Sequence, residues 1–540
     1  MAAIVTDQFR ISNANNFIES VLDANNSYYV FLGLSNPNLS DSAATSFGRT
    51  SGTTSNISNW DTSPPSPTDN FQHISHYKDT SLFGKKVTSE NVRRVVKKHQ
   101  WTKGLSYDMY RHDYGRKLSN GEVFQAPNSK TSRLYDSNYY VVNKDYKVYI
   151  CIDNGAYGIP GTDSAKGGKS LYEPLSTTSA PFIAGDDGYL WKYLFTISPS
   201  DIIKFDSTEY IILPNNWETE TSGVRDNGNS DEEQNQIKKV YIEDPGVNYF
   251  PGQTVICDII GDGTGAKVSI TTDSAGKIIS TSMYSGGSGY TYGVVDLKQE
   301  TIGGTTAKLI PIIPPSKGHG FDIYKELGAD KILIYSRFDD STRDFPTDTK
   351  FAQVGILKNP TQYSSTTVFT QNSFSSLYAL KLDEDATINE SEITIGSEIR
   401  QTYVLNNINY KAKGYVASYD RATKVLKYYK DRSLFFNPVN KSDQVDFLNV
   451  TIESNSSIDF SSSDSNSLSI LNSSGTTIAS IDSSFSESTI NGIPLGVTFQ
   501  NGVANPEINK KTGDVIYIDN RPLVSRDIRQ KEDIKIILEF

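Results

Sequence analysis

The sequence predicts a mainly β protein, and three observations support this fold class. The 540 residues include 32 Tyr and 24 Phe but 3 Met, and aromatic side chains favour half-buried pleated surfaces. Gly, Asn, Ser and Thr are frequent, which is typical of a chain with many turns. Short apolar or alternating segments recur between these turns. At roughly 150 residues per domain, the length suggests about three or four domains.

The individual elements follow from apolar spacing. Residues 13–23 place apolar side chains on one helical stripe, namely Phe17, Ile18, Val21 and Leu22. A second, basic helix is predicted over 88–101, with Val92, Val95 and Val96 facing inward, and a third around 321–327. Strands are predicted at 28–34, 207–214, 349–360, 513–524 and 532–540, and residues 137–153 form two strands joined at Asn143–Asp145. In the last strand Ile534, Ile536 and Leu538 alternate.

Composition changes near residue 217. Residues 218–236 are acidic and polar, which indicates a linker or exposed loop. An internal echo follows, because "PGVNYFPG" at 245–252 and "GGSGYTYG" at 286–293 are both Gly–aromatic turns. These turns predict a small β module of about 60 residues. Residues 377–436 resemble a further small barrel or sandwich, and the Ser/Asn-rich residues 453–489 predict either disorder or thin β-hairpins.

Charge and cysteine content narrow the function classes. The net charge of -11 argues against a general nucleic-acid binder. Cys151 and Cys257 both lie in apolar strand-like runs, and two cysteines favour a reduced compartment over a disulfide scaffold. The first residues lack the pattern of a signal peptide, and no apolar run approaches the roughly 20 residues that span a bilayer. We therefore expect a soluble protein or a member of a soluble assembly, without nucleic-acid or membrane partners.

Motifs for chemistry are weak. The glycines of "IGDGTGAK" at 260–267 precede a strand, so a turn is favoured over a dinucleotide loop. "HISH" at 73–76 has no helical stripe around it and no third ligand, which favours packing roles for the histidines over a zinc site. "VRDNGNSDEE" at 224–233 departs from the calcium-loop pattern. No catalytic residue, metal ligand or cofactor is nominated.

Two stretches are candidates for assembly contacts. The basic residues are Arg93, Arg94, Lys97, Lys98 and Lys103; they form either a solvated helix face or a docking patch for an acidic partner. The second stretch, "GDDGYLWKYLF" at 185–195, suggests a metal loop or a hairpin entry. The hairpin interpretation is favoured, with Trp191, Tyr193 and Phe195 on one strand face that belongs to the core or to a dimer seam.

Nine segments carry a resemblance when they are taken in order: "IVTDQFR" (4–10), "PPSPTDN" (64–70), "VRRVVKKHQW" (92–101), "KVYICID" (147–153), "GDDGYLWKYLFTISP" (185–199), "EYIILP" (209–214), "TKFAQVGILKNP" (349–360), "GDVIYIDNRPLV" (513–524) and "EDIKIILEF" (532–540). Together they resemble the gene-eight family of baseplate wedge proteins from T-even-type contractile-tailed bacteriophages. Their colinear order carries the resemblance. The chain is larger than the family core, as in enlarged versions such as those of cyanophages.

The resemblance implies a layered β-sandwich core with short helices in its end loops, plus inserted small β modules. The expected division is core at 1–216, an inserted module at 217–318, core at 319–370, a second insertion at 371–490, and core strands at 491–540. Asn520, Arg521 and Pro522 join the candidate interface residues. The implied function is a non-enzymatic homodimeric wedge subunit in the virion, assembled in the host cytoplasm, which links inner to fibre-bearing subunits and transmits conformational change. The alternative is a peripheral tail protein that binds host carbohydrate or a receptor, since the insertions are rich in exposed Tyr.

Overall fold

The computed structural model describes residues 4–33, 64, 66–67, 69–155, 168–217, 236–297, 302–339, 350–405, 408–430, 434–436, 444–446, 459–462, 468–525 and 530–540. Strands make up 42% and helices 10%. The sheets are antiparallel and the helices are few and short, so the mainly β prediction is confirmed. The predicted linker at 218–236 lies outside the described residues except for residue 236.

The helices are α1 (Asp7–Leu22), α2 (Phe71–Asp79), α3 (Pro199–Phe205) and α4 (Ile323–Glu326). The first and last confirm predicted helices, although α1 begins six residues before the predicted start at 13. Ile18 and Val21 of its predicted stripe are buried, whereas Leu22 is 53% exposed. None of the helices in the described ranges combines the length and the apolar character that crossing a membrane requires.

The strands of the first half are β1 (Tyr28–Gly33), β2 (Ser81–Val87), β3 (Val92–Lys97), β4 (Tyr140–Val142), β5 (Lys147–Asn154), β6 (Phe182–Ile183), β7 (Tyr189–Thr196), β8 (Tyr210–Ile212), β9 (Val240–Asp244), β10 (Val247–Tyr249), β11 (Thr254–Gly261), β12 (Thr264–Thr272), β13 (Ile278–Ser288), β14 (Gly293–Val295), β15 (Gly303–Thr305) and β16 (Lys308–Pro311).

The second half contributes β17 (Lys331–Phe338), β18 (Lys350–Lys358), β19 (Ser373–Ser375), β20 (Tyr378–Lys381), β21 (Glu398–Leu405), β22 (Ile408–Asp420), β23 (Val425–Tyr429), β24 (Leu434–Phe436), β25 (Gln444–Asp446), β26 (Ser469–Leu471), β27 (Thr477–Ser480), β28 (Thr489–Ile490), β29 (Ile493–Pro494), β30 (Val503–Ala504), β31 (Asp514–Ser525) and β32 (Glu532–Glu539).

The chain divides into two compact units. Unit 1 contains Met1–Phe17, Arg93–Leu333 and Ile536–Phe540, and unit 2 contains Ile18–Val92 and Ile334–Lys535. This division cuts across the five predicted segments, whose boundaries stay predictions. In β32 the predicted alternation is present, because Ile536 is 5% exposed while its neighbour Ile537 is 37% exposed.

Unit 2 is built on two sheets. A five-stranded sheet has the order β19-β2-β1-β18-β31, and its aromatic core includes Tyr29, Phe31 and Phe374. A seven-stranded sheet has the order β27-β26-β21-β22-β23-β20-β30. Its strands β26 and β27 form a hairpin, so this part of the Ser/Asn-rich stretch follows the hairpin alternative.

Unit 1 holds the sheet β4-β5-β7-β6, the pair β3–β8, and a module formed by β9 to β16. The predicted turn after β4 is present: the Asn143 side-chain oxygen accepts hydrogen bonds from the amides of Asp145 and Lys147, both at 3.0 Å. "IGDGTGAK" is likewise a hairpin turn, because the antiparallel strands β11 and β12 flank Asp262 and Gly263.

The module at 240–311 is a tandem duplication of one unit. Gly246, Tyr249 and Ala266 of the first repeat (240–270) recur at one constant spacing in the second repeat (281–311), as Gly287, Tyr290 and Ala307. Gly246 and Gly287 have φ angles of 66° and 60°, a left-handed conformation that glycine adopts without strain. The Gly–aromatic echo in the sequence is therefore part of a longer repeat.

The two repeats exchange equivalent contacts. β12 of the first repeat pairs with β13, which leads into the second, and β16 of the second pairs with β9 of the first. Val268 faces Met283 as Leu309 faces Ile242. The Tyr290 hydroxyl accepts a hydrogen bond from the Ala266 amide, and the Tyr249 hydroxyl accepts one from the Ala307 amide, both at 3.3 Å. Each repeat thus completes the other.

Candidate functional site

The basic segment 88–101 is a strand, so the predicted helix is wrong. A turn of 3-10 helix at Ser89–Asn91 leads into β3, which pairs antiparallel with β8. Val92, Val95 and Val96 are all buried, as predicted, but on a strand that is covered on both faces. Valine spacing of three and four residues fits both structures, and the β-branched side chains favour the strand.

Arg93 and Arg94 are held by their own chain. Arg93 contacts Asp201 through Nε at 3.0 Å and Nη2 at 2.9 Å, and its guanidinium lies 5.1 Å from the Phe205 ring centroid. Arg94 is 8% exposed. Its Nε donates to the Asn15 side-chain oxygen at 2.7 Å, and its guanidinium lies 4.1 Å from the Tyr324 ring centroid.

These contacts change the expected role of both arginines. A helix face in solvent is excluded for them, because one is fixed to α3 and the other is buried against α1 and α4. Their replacement would remove internal contacts of unit 1. Whether they also contribute to a contact between subunits stays a prediction.

Lys97, the last residue of β3, and Lys98 line a cleft with a volume of about 360 Å³. Lys98 donates to Asp206 at 3.3 Å and to the Ser207 carbonyl at 2.9 Å. Lys97 is exposed and makes no ion pair with any described residue. Lys103 is exposed too, but it does not line the cleft.

The cleft carries charges of both signs. Its charged lining residues are Asp7, Arg10, Lys97, Lys98, Arg133, Asp136, Glu209, Asp330, Lys331 and Glu539. Arg133 contacts Asp7 and, at 3.5 Å, Asp136. Lys331 lies 2.9 Å from Asp330 and 3.3 Å from Glu539.

The acidic partners of Lys331 raise its pKa. Burial lowers the pKa of Lys331, but its hydrogen bond to Asp330 and the charges of Asp330 and Glu539 more than offset burial, so the pKa lies above its ordinary value. The cleft presents paired charges of both signs, which suits oriented contact with a polar partner surface. Sequence reasoning missed the acidic residues of the cleft, because they come from distant segments and share no local pattern.

Trp191 lies in the core of unit 1. It is 0% exposed, stacks on Tyr189 with ring centroids 5.3 Å apart, and meets Tyr107 edge-on at 6.0 Å. Phe195 is 3% exposed and packs edge-on against Trp217. Of the two alternatives for this face, the core applies to Trp191 and Phe195, because buried side chains cannot meet a partner directly.

Tyr193 and the opposite face of β7 differ from expectation. Tyr193 is only half-buried, and its ring meets Tyr149 edge-on at 5.7 Å. Lys192 and Leu194, on the other face, are both 0% exposed. The Lys192 ammonium donates to the Ser179 carbonyl at 2.7 Å, so this buried charge has a hydrogen-bond acceptor.

The acidic turn before β7 is a structural hairpin entry. The Asp187 carboxylate accepts hydrogen bonds from the amides of Leu171, at 2.7 Å, and Tyr189, at 3.1 Å. Gly188 has a φ angle of 82°, a conformation that glycine adopts without strain. Gly185 does not need a positive φ; a Cβ there would lie 2.3 Å from the Tyr172 ring, so close approach explains this glycine.

The remaining candidates lie on β31, an outer strand of the five-stranded sheet. Asn520 is 7% exposed and accepts a hydrogen bond from the Gln353 side chain at 2.7 Å. Arg521 and Pro522 are exposed. The register with β18 shifts between Asn520 and Val524, and a proline that lacks an N–H suits such an irregular outer strand. Only Arg521 and Pro522 of these three are placed to meet a partner.

The histidines have packing roles where their side chains are described. "HISH" lies on α2, contrary to the expectation of no helix, but the side chains of His73 and His76 lie outside the described residues. His112 Nδ1 accepts from the Ile313 amide at 3.2 Å, and His319 Nδ1 lies 2.6 Å from Glu326. Burial lowers the pKa of His99 to about 4. Residues 224–233 lie outside the described part.

No group of three or more His, Cys, Asp or Glu side chains within the described ranges is arranged to hold a metal ion. Compared with known proteins, the chain matches no family model. It also matches no curated protein.

Proposed function

We propose that the protein is a structural, non-enzymatic subunit of a phage tail baseplate wedge. In this role it links inner wedge subunits to peripheral, fibre-bearing ones and transmits conformational change on infection. It acts as a homodimer in the virion after assembly in the host cytoplasm. The colinear resemblance of nine segments to the gene-eight wedge family is the origin of the proposal.

One structural observation supports it most. Segments that carry the resemblance, although distant in sequence, pair with one another as strands. Within unit 1, β3 pairs with β8, with Val95 opposite Ile212, and β5 pairs with β7. Within unit 2, β18 pairs with β31, with Ile356 opposite Tyr517. Chance matches scattered along a chain have no reason to be strand partners, whereas the segments of a shared core do.

The regions outside the resemblance pair separately. The strands of residues 240–311 hydrogen-bond only with one another among the described strands. The strands of the seven-stranded sheet, from β20 to β30, also pair among themselves. This separation is what insertions into an older core produce, and extra modules of this kind add contact surface without altering the core.

The role requires stiff blocks with fixed surface charge. A subunit that transmits motion must move as a unit, and the buried aromatic core around Trp191 resists deformation because protein interiors are close-packed. The cleft beside Lys97 offers charges held in place by ion pairs. Such charges orient a partner without ordering long side chains at the moment of binding.

Immunogold electron microscopy tests the location. Antibodies raised against the purified chain would be applied to intact phage particles of its source and, as a control, to particles whose tail tips have been removed. We expect gold at the tail tip and none on the tipless particles. Labelling confined to the capsid or to the distal ends of fibres would contradict the proposal.

A further inference from the structure

The duplicated module has a sheet with one face in its core and one face in solvent. In the sheet β13-β12-β11-β14, Cys257 and Ile259 point into the core at 0% and 4% exposure. The alternate residues Ile256 and Ile260 are 45% and 60% exposed. Val294 lies directly opposite Ile260 on the neighbouring strand and is 65% exposed. These three residues form an apolar strip on the outer face.

Most of the rest of the outer face carries short side chains; the exception on β13 is Tyr284, which is 67% exposed. Small hydroxyl side chains lie opposite one another across three strands; they are Thr254, Thr271 and Ser280 in one row, and Ser269 and Ser282 beside Ile256 in the next. Short side chains allow another sheet to approach to the usual spacing of about 10 Å.

The outer face is also electrically neutral. Its charged residues are Asp258 and Lys267, which lie opposite each other in the register and form an ion pair at 3.0 Å. The whole chain carries a net charge of -11, so two copies repel each other over most of their surface. A neutral apolar face is where that repulsion is smallest.

We propose that this outer face is a self-association surface, on which a second copy of the chain stacks the same face. Stacking would bury Ile256, Ile260 and Val294 of both copies in a sheet-on-sheet contact. The face can meet itself without opposing like charges, because Asp258 and Lys267 are already paired. This surface gives the proposed homodimer a location outside the segments that carry the resemblance.

The strand that corresponds to this part of β13 in the first repeat is β9. It shows how a strand at this position can dock. In the first repeat, β9 is covered by its own chain, with the Arg111 guanidinium 4.3 Å from the Tyr241 ring centroid and Arg116 paired with Glu243. The positions equivalent to Tyr241 and Glu243 are Ser282 and Tyr284, which are exposed. Strand β9 therefore docks within the chain, whereas the corresponding part of β13 is left exposed.

The size of the face sets the expected affinity. Three strands of roughly 26 Å length and the short β14 of roughly 10 Å, at about 4.8 Å spacing, give about 400 Å² per copy. A total of about 800 Å² lies below the standard size of specific interfaces and is typical of weak contacts. Association through this face is therefore concentration-dependent.

Sedimentation equilibrium of the full chain tests this surface. Across about 2–200 μM protein, we expect the weight-average mass to rise from 59.8 kDa towards twice that value. Ile260→Lys should weaken self-association by about 100-fold, because it places two unpaired charges in the contact. Val294→Lys should act in the same way.

Ile203→Lys is the matched control, since Ile203 on α3 is 78% exposed and lies outside the module. It should associate as the wild type does, and circular dichroism checks that each variant is folded. A wild type that stays at 59.8 kDa throughout would overturn the proposal. So would an Ile260→Lys variant that associates like wild type. A monomeric wild type would also contradict the homodimer of the proposed function, on which this inference rests, whereas an Ile260→Lys variant that associates would leave the homodimer standing and overturn only this surface. Neither result depends on where the protein lies in a virion, so the baseplate location is tested separately.

Discussion

The core around Trp191 and the duplicated module reach stability in different ways. The Trp191 core depends on large aromatic side chains that contact one another, with Trp191 between Tyr189 and Tyr107. The module depends on backbone geometry that occurs twice, in which a glycine of positive φ lets a tyrosine bond to the other repeat. The first arrangement is sensitive to lost volume and the second to added atoms. The predictions below test this contrast.

Trp191→Ala should have the largest effect. Loss of a fully buried indole leaves a cavity, and we expect the free energy of unfolding of this region to fall by about 3–5 kcal/mol. Hydrogen-exchange mass spectrometry of peptides from β5 and β7 measures it. Trp101→Ala is the control. Because Trp101 is only half-buried, this variant should lose less free energy of unfolding. Equal losses in the two variants would place Trp191 outside the core.

Gly287→Ala should destabilise the module through added atoms. A Cβ there would lie 2.4 Å from the Ala266 nitrogen and 2.5 Å from the Thr264 oxygen, and the φ of 60° is strained for alanine. We expect a loss of roughly 2–3 kcal/mol by urea denaturation. At Gly252 the φ is 66° with no atom within 4 Å of a new Cβ, so Gly252→Ala should cost about 1 kcal/mol. A larger loss of stability for Gly252→Ala than for Gly287→Ala would contradict the close approach of backbone atoms at Gly287.

Removal of one hydroxyl compares the two repeats directly. The Tyr290 hydroxyl accepts from the Ala266 amide and donates to the Ile259 carbonyl at 2.9 Å. The Tyr249 hydroxyl accepts a hydrogen bond from the Ala307 amide. Tyr290→Phe should therefore cost about 1–2 kcal/mol and Tyr249→Phe about 0.5–1 kcal/mol in the same urea experiment. A larger loss for Tyr249→Phe would contradict the assignment of the bonds.

Low pH should destabilise the first repeat through Asp262, and we expect this effect to be smaller than those of the substitutions above. Hydrogen bonds from the Thr291 side chain and amide and from the Tyr292 amide lower the pKa of Asp262 to about 2. The second repeat has Gly303 at the equivalent position. Since the folded pKa lies below the ordinary value of 3.8, the stabilisation is complete above about pH 4 and is lost as the pH falls towards 2.

Carbon-13 NMR titration of the Asp262 carboxyl measures this pKa. Thermal melting near pH 3 should be lowered relative to pH 5 more in the wild type than in Asp262→Asn, which cannot titrate at this position. An Asp262 midpoint near 4 would show that these hydrogen bonds are weak in solution.

The sequence allowed the fold class and several of the strands to be predicted, because alternation is a local signal. The alternation around Ile536 and the turn at Asn143 are examples. The helix prediction for residues 88–101 failed because the valines there satisfy helical spacing. The burial on both faces of β3 comes from tertiary packing, which local spacing does not report. The repeat was visible only in its Gly–aromatic turns, although Ala266 and Ala307 follow the same spacing.

The candidate site was predictable only in part. Local composition identified the basic residues, but it could not indicate that Asp201 and Asn15 hold Arg93 and Arg94. Those partners lie far away in sequence, and their approach depends on the complete fold of unit 1. Lys97 and Lys98 were found for the same compositional reason, without the cleft that they line.

The proposed scaffold role is tested most directly by a cryo-electron microscopy reconstruction of the intact tail at side-chain detail. The account predicts density for this chain in every wedge of the baseplate, with the strands β3, β5, β7, β8, β18 and β31 in its core and neighbouring subunits at the cleft that Lys97 and Lys98 line. A reconstruction in which the chain is absent from the baseplate, or occupies only the outer ends of fibres, would contradict it.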